Sequence, residues 1–386
     1  MTERSSIINA DKIDSFESLR GLMAIWVLIG HVMLTFNTDS LKEEFLLNAL
    51  LENGRAVYVF MILSGFVIFF LLHTKNEGYL LFIYRRFLRI FPAYIVALLI
   101  SAAMLPISLE AISSVASMSN RNISRVEYLS ASINNFLPHL TAHLTLLHGL
   151  IPTNVLPFSD WAIMGQAWSI SVEWQFYLLA PIYYSLLKTK ISLFSKLFFI
   201  ILSLLALYFI SFKFGYSFIG KHLLYFLIGC ASAIFWLIPT KWHYLFLKYP
   251  NLTITITTTL CIIITPDKWE ISIWVLIYLS ALIIRDKPDN KSIAYYVNSI
   301  MKLKPLRYLG KISYSIYLAH MIPLFLAIYF FNDLNMSSSD RLLTTLSSTF
   351  ILTIALAAFL YHFIEAPFID FGRKGLPNIL QRYINT

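Results

Sequence analysis

The first apolar run of the chain, SLRGLMAIWVLIGHVM, contains two ionisable side chains, Arg20 and His31. An α-helix turns by about 100° and rises by about 1.5 Å per residue, so positions eleven apart share one face at a separation of about 16 Å. Imidazole is the side chain best suited to take a proton from a hydroxyl group near neutral pH. We therefore predict a reactive histidine and a cation on one helix face. The alternative is that Arg20 snorkels to the lipid surface and His31 is satisfied by packing.

A carboxylate, Glu173, interrupts another strongly apolar run, QAWSISVEWQFYLLAP. An ionisable group inside a membrane span costs roughly 2.5–3.5 kcal/mol on insertion scales, which makes it a functional candidate by default. Glu173 could pair with an arginine, bind an ion or orient a catalytic histidine, and Trp168, Ser169, Ser171 and Gln175 offer hydrogen bonds nearby. A purely structural buried acid is the alternative.

Three arginines, Arg85, Arg86 and Arg89, cluster in YRRFLRIFPAY, which we expect at the inner end between the second and third spans. A guanidinium fork is well shaped to bind phosphate, and residues three apart on a helix can grip one phosphate together. Arginines at a cytoplasmic helix end also satisfy the positive-inside rule, which is the alternative reading.

Polar groups recur near the end of the chain. LGKISYSIYLAHMIPLF contains Tyr314 and His320, and YHFIEAPF contains Glu365. We interpret Tyr314 and His320 as substrate-binding or supporting residues, although polar side chains between helices also act as packing contacts. His139, His143 and His148 have a loose spacing that no nearby Cys or acid completes, so we predict no metal site.

The elements that position these residues must be membrane helices. The chain is 58% hydrophobic and 13% charged, whereas soluble domains carry roughly 25% charged residues. We predict an all-α polytopic transmembrane bundle with a lipid bilayer around it. It would have about ten spans, near 19–36, 55–72, 92–107, 167–187, 191–212, 218–238, 250–265, 270–284, 311–331 and 343–363.

Charge sets the expected orientation. With the N-terminus in the cytoplasm, most of the 30 Lys and Arg residues fall in alternate, inner loops. We therefore predict an N-in, C-in protein of the inner (plasma) membrane, with cytoplasmic tails at 1–14 and 371–386 around a membrane domain at 15–370. The net charge of +9 then reflects helix flanks, not nucleic-acid binding. The long segment 108–166 would lie outside and is the expected acceptor-binding region.

Taken in order, these segments resemble the membrane-bound acyltransferase-3 family from about Ser15 to Asp370. The resemblance rests on F-x-S-L-R-G, FMILSGFVI around Ser64 and Gly65, RRFLRIFP, WSISVEWQFY, ISYSIYLAH and IEAP. It implies an enzyme that transfers an acyl group, commonly acetyl from cytoplasmic acetyl-CoA, to a hydroxyl of a glycan or similar acceptor. Many members have a second acid after the glutamate, where this chain has Trp174.

The resemblance also implies roles for individual residues. His31 is expected to be essential, with Arg20, Arg86, Arg89 and Glu173 also implicated. We expect the arginines to hold the phosphates of acetyl-CoA and His31 to act as general base or transient acyl carrier, oriented by Glu173. Ser64, Ser171 and Tyr314 are candidate oxyanion donors. The alternative function is a proton-coupled transporter or flippase, in which the buried Arg, His and Glu residues form a proton relay.

Overall fold

The structure is a computed structural model that describes residues 13–36, 45–75, 77–115, 119–238, 241–288, 290–332, 334 and 336–374. Within these ranges every regular element is a helix, which confirms the predicted all-α class. Helices suit a bilayer because they pair backbone N–H and C=O groups within each segment. The two predicted tails lie mostly outside the described residues.

The described part of the chain forms nineteen α-helices. In chain order they are α1 (Asp14–Met33), α2 (Phe45–Leu51), α3 (Gly54–Thr74), α4 (Tyr79–Ala103), α5 (Leu105–Ser114), α6 (Asn120–Asn134), α7 (Phe136–Leu144), α8 (Ala167–Lys188), α9 (Leu193–Ile210), α10 (Leu223–Leu237), α11 (Lys241–Lys248), α12 (Pro250–Ile264), α13 (Glu270–Asp286), α14 (Ile293–Met301), α15 (Lys304–Lys311), α16 (Ser313–Ala319), α17 (Met321–Phe331), α18 (Ser338–Leu360) and α19 (Ala366–Lys374). Short 3-10 turns at His148–Leu150, Ser211–Lys213, Ile219–Lys221 and Pro266–Lys268 and a π-helical turn at Tyr361–Glu365 join some of them.

Five stretches of the described chain are long and apolar enough to cross a membrane: α1, α3, α4, Leu193–Lys213 and Ser338–Arg373. α16 and α17 meet at a bend of 41°. Taken together as one broken span, they are also long and apolar enough to cross a membrane. α10 and α12 are apolar but shorter. These helices support a membrane protein, whereas the count of ten spans and the N-in, C-in orientation stay predictions.

The predicted span at 92–107 overlaps α4, which begins earlier and runs from Tyr79 to Ala103. Arg85, Arg86 and Arg89 lie inside this helix, ahead of the predicted span. Arginine is a good helix former, and its long side chain can carry the charge away from apolar surroundings while the backbone stays helical. The arginines therefore occupy fixed positions on a long helix.

α8 covers the predicted span at 167–187 and is 22 residues long. It is not among the five membrane-spanning candidates, because polar residues such as Ser169, Ser171 and Glu173 lower its mean hydropathy. The helix that carries Glu173 is therefore long enough to cross a membrane but less apolar than the five candidate spans.

The chain divides into two compact units. The first is formed by 1–25, 54–76 and 224–313, and the second by 26–53, 77–223 and 314–386. In the first unit α13 packs against α3, α12 and α14. Its core includes Phe16, whose ring centroid lies 5.0 Å from that of Phe66 and 5.1 Å from that of Trp274.

Two glycines of the first unit allow α3 and α10 to touch backbone to backbone. A Cβ atom on Gly65 would overlap the carbonyl oxygen of Phe226, and one on Gly229 would overlap the carbonyl oxygen of Ile62. The Ser64–Gly65 pair of the FMILSGFVI run therefore lies at a close helix contact.

In the second unit α5 packs against α6 and α17, α17 packs against α18, and α4 packs against α19. Apart from Arg20 and Ser64, which belong to the first unit, the predicted site residues all fall in this second unit.

Candidate functional site

His31 lies near the end of α1, which is one continuous helix from Asp14 to Met33 and also carries Arg20. The two residues therefore share a helix at the predicted spacing. As a whole residue His31 is partly exposed.

The guanidinium of Arg125, on α6, contacts the imidazole. Arg125 Nη2 lies 3.1 Å from His31 Nδ1. Because a guanidinium can only donate hydrogen bonds, Nδ1 is the acceptor, and a neutral His31 carries its proton on Nε2. Sequence analysis missed Arg125, although its spacing from Arg121 places two guanidinium groups on one face of a helix.

A hydrogen-bond network holds Arg125, whose side chain is buried with 2% exposure. Arg125 Nη1 donates to Thr35 Oγ1 at 2.7 Å and to Asn122 Oδ1 at 3.3 Å. Asn122 Nδ2 donates to the carbonyl oxygens of Thr35 and Val115, both at 2.8 Å. Thr35 Oγ1 in turn donates to the carbonyl oxygen of His31 at 2.8 Å. These bonds fix α6 against the end of α1.

A second imidazole, that of His320, stands beside His31. His320 lies at the bend between α16 and α17, and its ring centroid is 5.1 Å from that of His31. His320 Nδ1 lies 2.8 Å from the carbonyl oxygen of Tyr317. Since a carbonyl only accepts, Nδ1 carries the proton and Nε2 presents a lone pair. Nε2 is buried and has no hydrogen-bond partner among the described residues.

The two rings therefore have opposite hydrogen-bonding senses. Neutral His31 offers an N–H at Nε2, and neutral His320 offers a lone pair at Nε2. A pair of this kind can take a proton from a hydroxyl group and at the same time donate a hydrogen bond to an oxygen atom.

Hydrogen bonds fix the start of α8 against α16, the helix that directly precedes His320. Ser169 Oγ lies 2.7 Å from Tyr317 Oη, which donates to the carbonyl oxygen of Gln166 at 3.1 Å. Gln166 Nε2 donates to the carbonyl oxygen of Leu318 at 2.7 Å. The position of His320 thus depends on α8 as well as on its own bend.

Glu173 and Arg86 of α4 contact the same side chain, Tyr177. Tyr177 Oη donates to Glu173 Oε1 at 2.5 Å, and the guanidinium of Arg86 lies over the Tyr177 ring, 5.8 Å from its centroid. The charges of Glu173, Arg86 and Arg89 all act on the Tyr177 phenol. The predicted role of Glu173 in orienting His31 stays a prediction.

Arg85 differs from its neighbours because it forms an ion pair with Glu77 at the start of α4. Further along the same helix, the carbonyl oxygen of Ile90 accepts a hydrogen bond from Tyr314 Oη at 2.8 Å. Tyr314 therefore attaches α16 to the arginine-bearing helix.

The side chains of Ser171 and Gln175 form hydrogen bonds with the backbone of connecting segments. Ser171 Oγ donates to the carbonyl oxygen of Leu146 at 2.8 Å. Gln175 Nε2 donates to the carbonyl oxygen of Ser217 at 2.8 Å, and its Oε1 accepts from Ile219 N at 3.0 Å. These contacts favour a positioning role for both residues.

Trp168, one turn earlier on α8, has an aromatic environment. Its ring centroid lies 4.7 Å from that of Tyr216 and 5.3 Å from that of His222. The side chain is buried, so it packs this part of the unit.

Two of the three histidines of segment 108–166, His143 and His148, pack against each other. The rings of His143 and His148 stack at 4.0 Å, and His143 Nε2 lies 3.1 Å from the carbonyl oxygen of Ser159. Burial lowers the pKa of His143 to about 3, so the ring is neutral at physiological pH. Across the ranges that the structure describes, no three His, Cys, Asp or Glu residues form a group that could hold a metal ion.

Comparison with protein families gives a match over most of the chain. The sequence model of the acyltransferase-3 family, described as an acyltransferase domain, matches residues 13–362. Searches of curated proteins and of solved structures gave no significant match.

Proposed function

Because the chain belongs to the acyltransferase-3 family, we propose that this membrane acyltransferase moves an acetyl group from cytoplasmic acetyl-CoA to a hydroxyl group of a cell-surface glycan or of its lipid-linked precursor. The observation that carries the chemistry is the pair of neighbouring imidazoles, His31 and His320, with opposite hydrogen-bonding senses. The inner membrane suits this reaction because it borders both the cytoplasmic donor and the route to the cell surface.

Arginines of α4 are the proposed donor-binding residues. Arg86 and Arg89 are one helical turn apart, and the charges of both reach the phenol of Tyr177. A guanidinium binds phosphate oxygens through two parallel hydrogen bonds, which suits the phosphates of CoA. Arg85 would have to exchange its ion pair with Glu77 to contribute. Arg20 stays a proposed catalytic residue on the strength of the family resemblance.

In the proposed reaction the acceptor oxygen attacks the thioester carbonyl carbon. The hydroxyl proton passes to the lone pair at His320 Nε2, while His31 Nε2–H donates to the carbonyl oxygen as it becomes negative. The carbon–sulfur bond then breaks, and the CoA thiolate takes the proton back from the imidazolium. Both rings end neutral, and the products are the ester and CoA. The alternative that His31 itself is the base, or carries the acyl group, requires it to lose the contact between Nδ1 and Arg125.

The test uses membranes from the native host, which contain the true acceptor. Membranes with the wild-type protein or with His31→Ala receive acetyl-labelled acetyl-CoA, and label is followed into alkali-labile ester on surface glycans. We expect labelling by the wild type and its loss in the variant at equal expression. His73→Gln is the control, because His73 is exposed at the end of α3.

Absence of label with the wild type would contradict the proposed donor or acceptor and favour a transporter. Equal labelling by wild type and His31→Ala would leave an acyltransferase but remove His31 from its mechanism.

A further inference from the structure

Two arginines of α6, Arg121 and Arg125, bring positive charge to His31. The charges of both act on His31, and Arg125 contacts it directly. Burial lowers the pKa of Arg121 to about 10, which still leaves it protonated at neutral pH. The site around His31 therefore contains two guanidinium cations, four residues apart on one helix face.

Carboxylates of the described residues do not neutralise these cations. The arginine ion pairs in the described part of the chain involve other positions, namely 55, 85, 285, 307 and 373. The acid nearest in sequence, Glu127, is exposed. The nearby phenol of Tyr128 interacts with both arginines, but in its neutral form it brings no charge. Two like charges close together and partly desolvated repel each other, so this arrangement is costly without an anion.

Arg125 has a structural role in the described residues, whereas no such role is evident for Arg121. Arg125 donates to Thr35 and Asn122 and so fixes α6 to α1. Arg121 is partly exposed, and within the described residues it forms neither an ion pair nor a side-chain hydrogen bond. Within the described residues its guanidinium therefore lacks an acceptor, while its charge reaches the imidazole of His31.

We propose that Arg121 and Arg125 form a subsite for an anionic substituent of the acceptor, a carboxylate or a phosphate group. The assignment to the acceptor rests on the proposed function. Arg121 offers paired N–H donors, and Arg125 adds charge from a fixed position against His31. An acceptor bound through this anion would have a neighbouring hydroxyl group beside the two imidazoles. The arginines proposed for the phosphates of CoA lie on another helix, α4, with Glu173 and Tyr177.

The first experiment measures binding without catalysis. The purified full chain in detergent is heated with methyl glucuronide, inorganic phosphate or neutral methyl glucoside at one ionic strength, and unfolding is followed by tryptophan fluorescence. We expect at least one of the two anions to raise the midpoint of unfolding and the neutral glucoside to leave it unchanged.

Variants locate the anion. We expect Arg121→Gln to lose the shift, Arg121→Lys to keep part of it because the charge remains, and Lys213→Gln to keep all of it. Lys213 is the charge-matched control, because it is exposed and lies outside α6. Arg121→Gln removes no hydrogen bond of the described structure, so we expect it to fold. The absence of an anion-specific shift in the wild type, or an equal shift in Arg121→Gln, would overturn the subsite.

The second experiment decides between acceptor and donor. In native membranes, we expect Arg121→Gln to weaken inhibition of glycan labelling by the stabilising anion about tenfold while the KM for acetyl-CoA stays unchanged. A tenfold rise in the KM for acetyl-CoA would assign the anion to the donor and overturn the proposal. If wild-type membranes transfer no label but the purified protein keeps its anion-specific shift, the proposed function fails and the anion subsite stands.

Discussion

The guanidinium of Arg125 donates to Nδ1 of His31 across 3.1 Å, between residues 94 positions apart in the chain. Such a bond decides which nitrogen of a neutral imidazole carries the proton. His320 has the opposite arrangement, because its Nδ1–H donates to the carbonyl oxygen of Tyr317. The two rings are therefore chemically distinct although they are neighbours.

The first prediction concerns these proton positions. In the purified protein with isotope-labelled histidine, nitrogen NMR near neutral pH should show the Nε2–H form for His31 and the Nδ1–H form for His320. Arg125→Met should release His31 into a mixture of both forms, because the donor at Nδ1 is gone. His31→Gln and His320→Gln assign the signals. A wild-type His31 in the Nδ1–H form would contradict the hydrogen-bond assignment.

The second prediction concerns His320 as the base. His320→Gln should lower kcat by about 10²- to 10⁴-fold, the usual contribution of a general base. The KM for acetyl-CoA should change little, because the lost interaction is made only in the transition state. Label transfer in native membranes at varied acetyl-CoA measures both constants.

The exposed His73→Gln is the control for this substitution. If His320→Gln keeps kcat while His31→Ala abolishes it, His31 is the base and must exchange its contact with Arg125 during turnover.

The sequence alone identified candidate residues that are ionisable but lie within apolar runs. A histidine in the α1 run and a glutamate in the α8 run are costly in lipid, so each was visible as a candidate without a structure. His320 was visible for the same reason. The structure adds the contact between His31 and His320 and the hydrogen bonds that assign their protons.

Arg125 was not visible in this way. It lies in a polar stretch, SMSNRNISR, where an arginine is ordinary, and its importance comes from a contact with a helix 94 positions earlier. Spacing within one helix could have paired it with Arg121, but a partner on another helix cannot be read from spacing. The arginines near 85–89 were predicted on a helix, but their charge ends the apolar run, so the extension of α4 back to Tyr79 was not visible.

The third prediction tests the close contact between α3 and α10. Gly65→Ala should destabilise the protein by about 1–3 kcal/mol, because the added methyl group meets the carbonyl oxygen of Phe226 and the helices must separate. Gly54→Ala is the matched control on the same helix, since nothing lies within 4 Å of a Cβ at that position. Thermal unfolding in detergent compares the two variants. Equal midpoints would show that the contact relaxes at no cost.

The fourth prediction concerns a buried ion pair of the first unit. Arg55 Nη1 lies 2.9 Å from Glu270 Oε2, and the two side chains are 18% and 1% exposed. Arg55→Met should destabilise the protein by about 3–5 kcal/mol, because it leaves a buried carboxylate without its charge partner. Tyr225 Oη still donates to Glu270 Oε1 at 2.9 Å, but one neutral hydrogen bond does not replace the lost charge.

Two further variants decide whether the lost stability comes from the unpaired charge. The double variant Arg55→Met with Glu270→Met should recover most of the stability, because no buried charge remains. Arg373→Met is the control: its pair with Asp370 spans 3.8 Å with side chains 61% and 60% exposed, so its removal should cost less than about 1 kcal/mol. Denaturant unfolding in detergent micelles measures the free energy of unfolding of the wild type and of the three variants. A double variant as unstable as Arg55→Met would mean that packing of the arginine stem, and not charge, stabilises this contact.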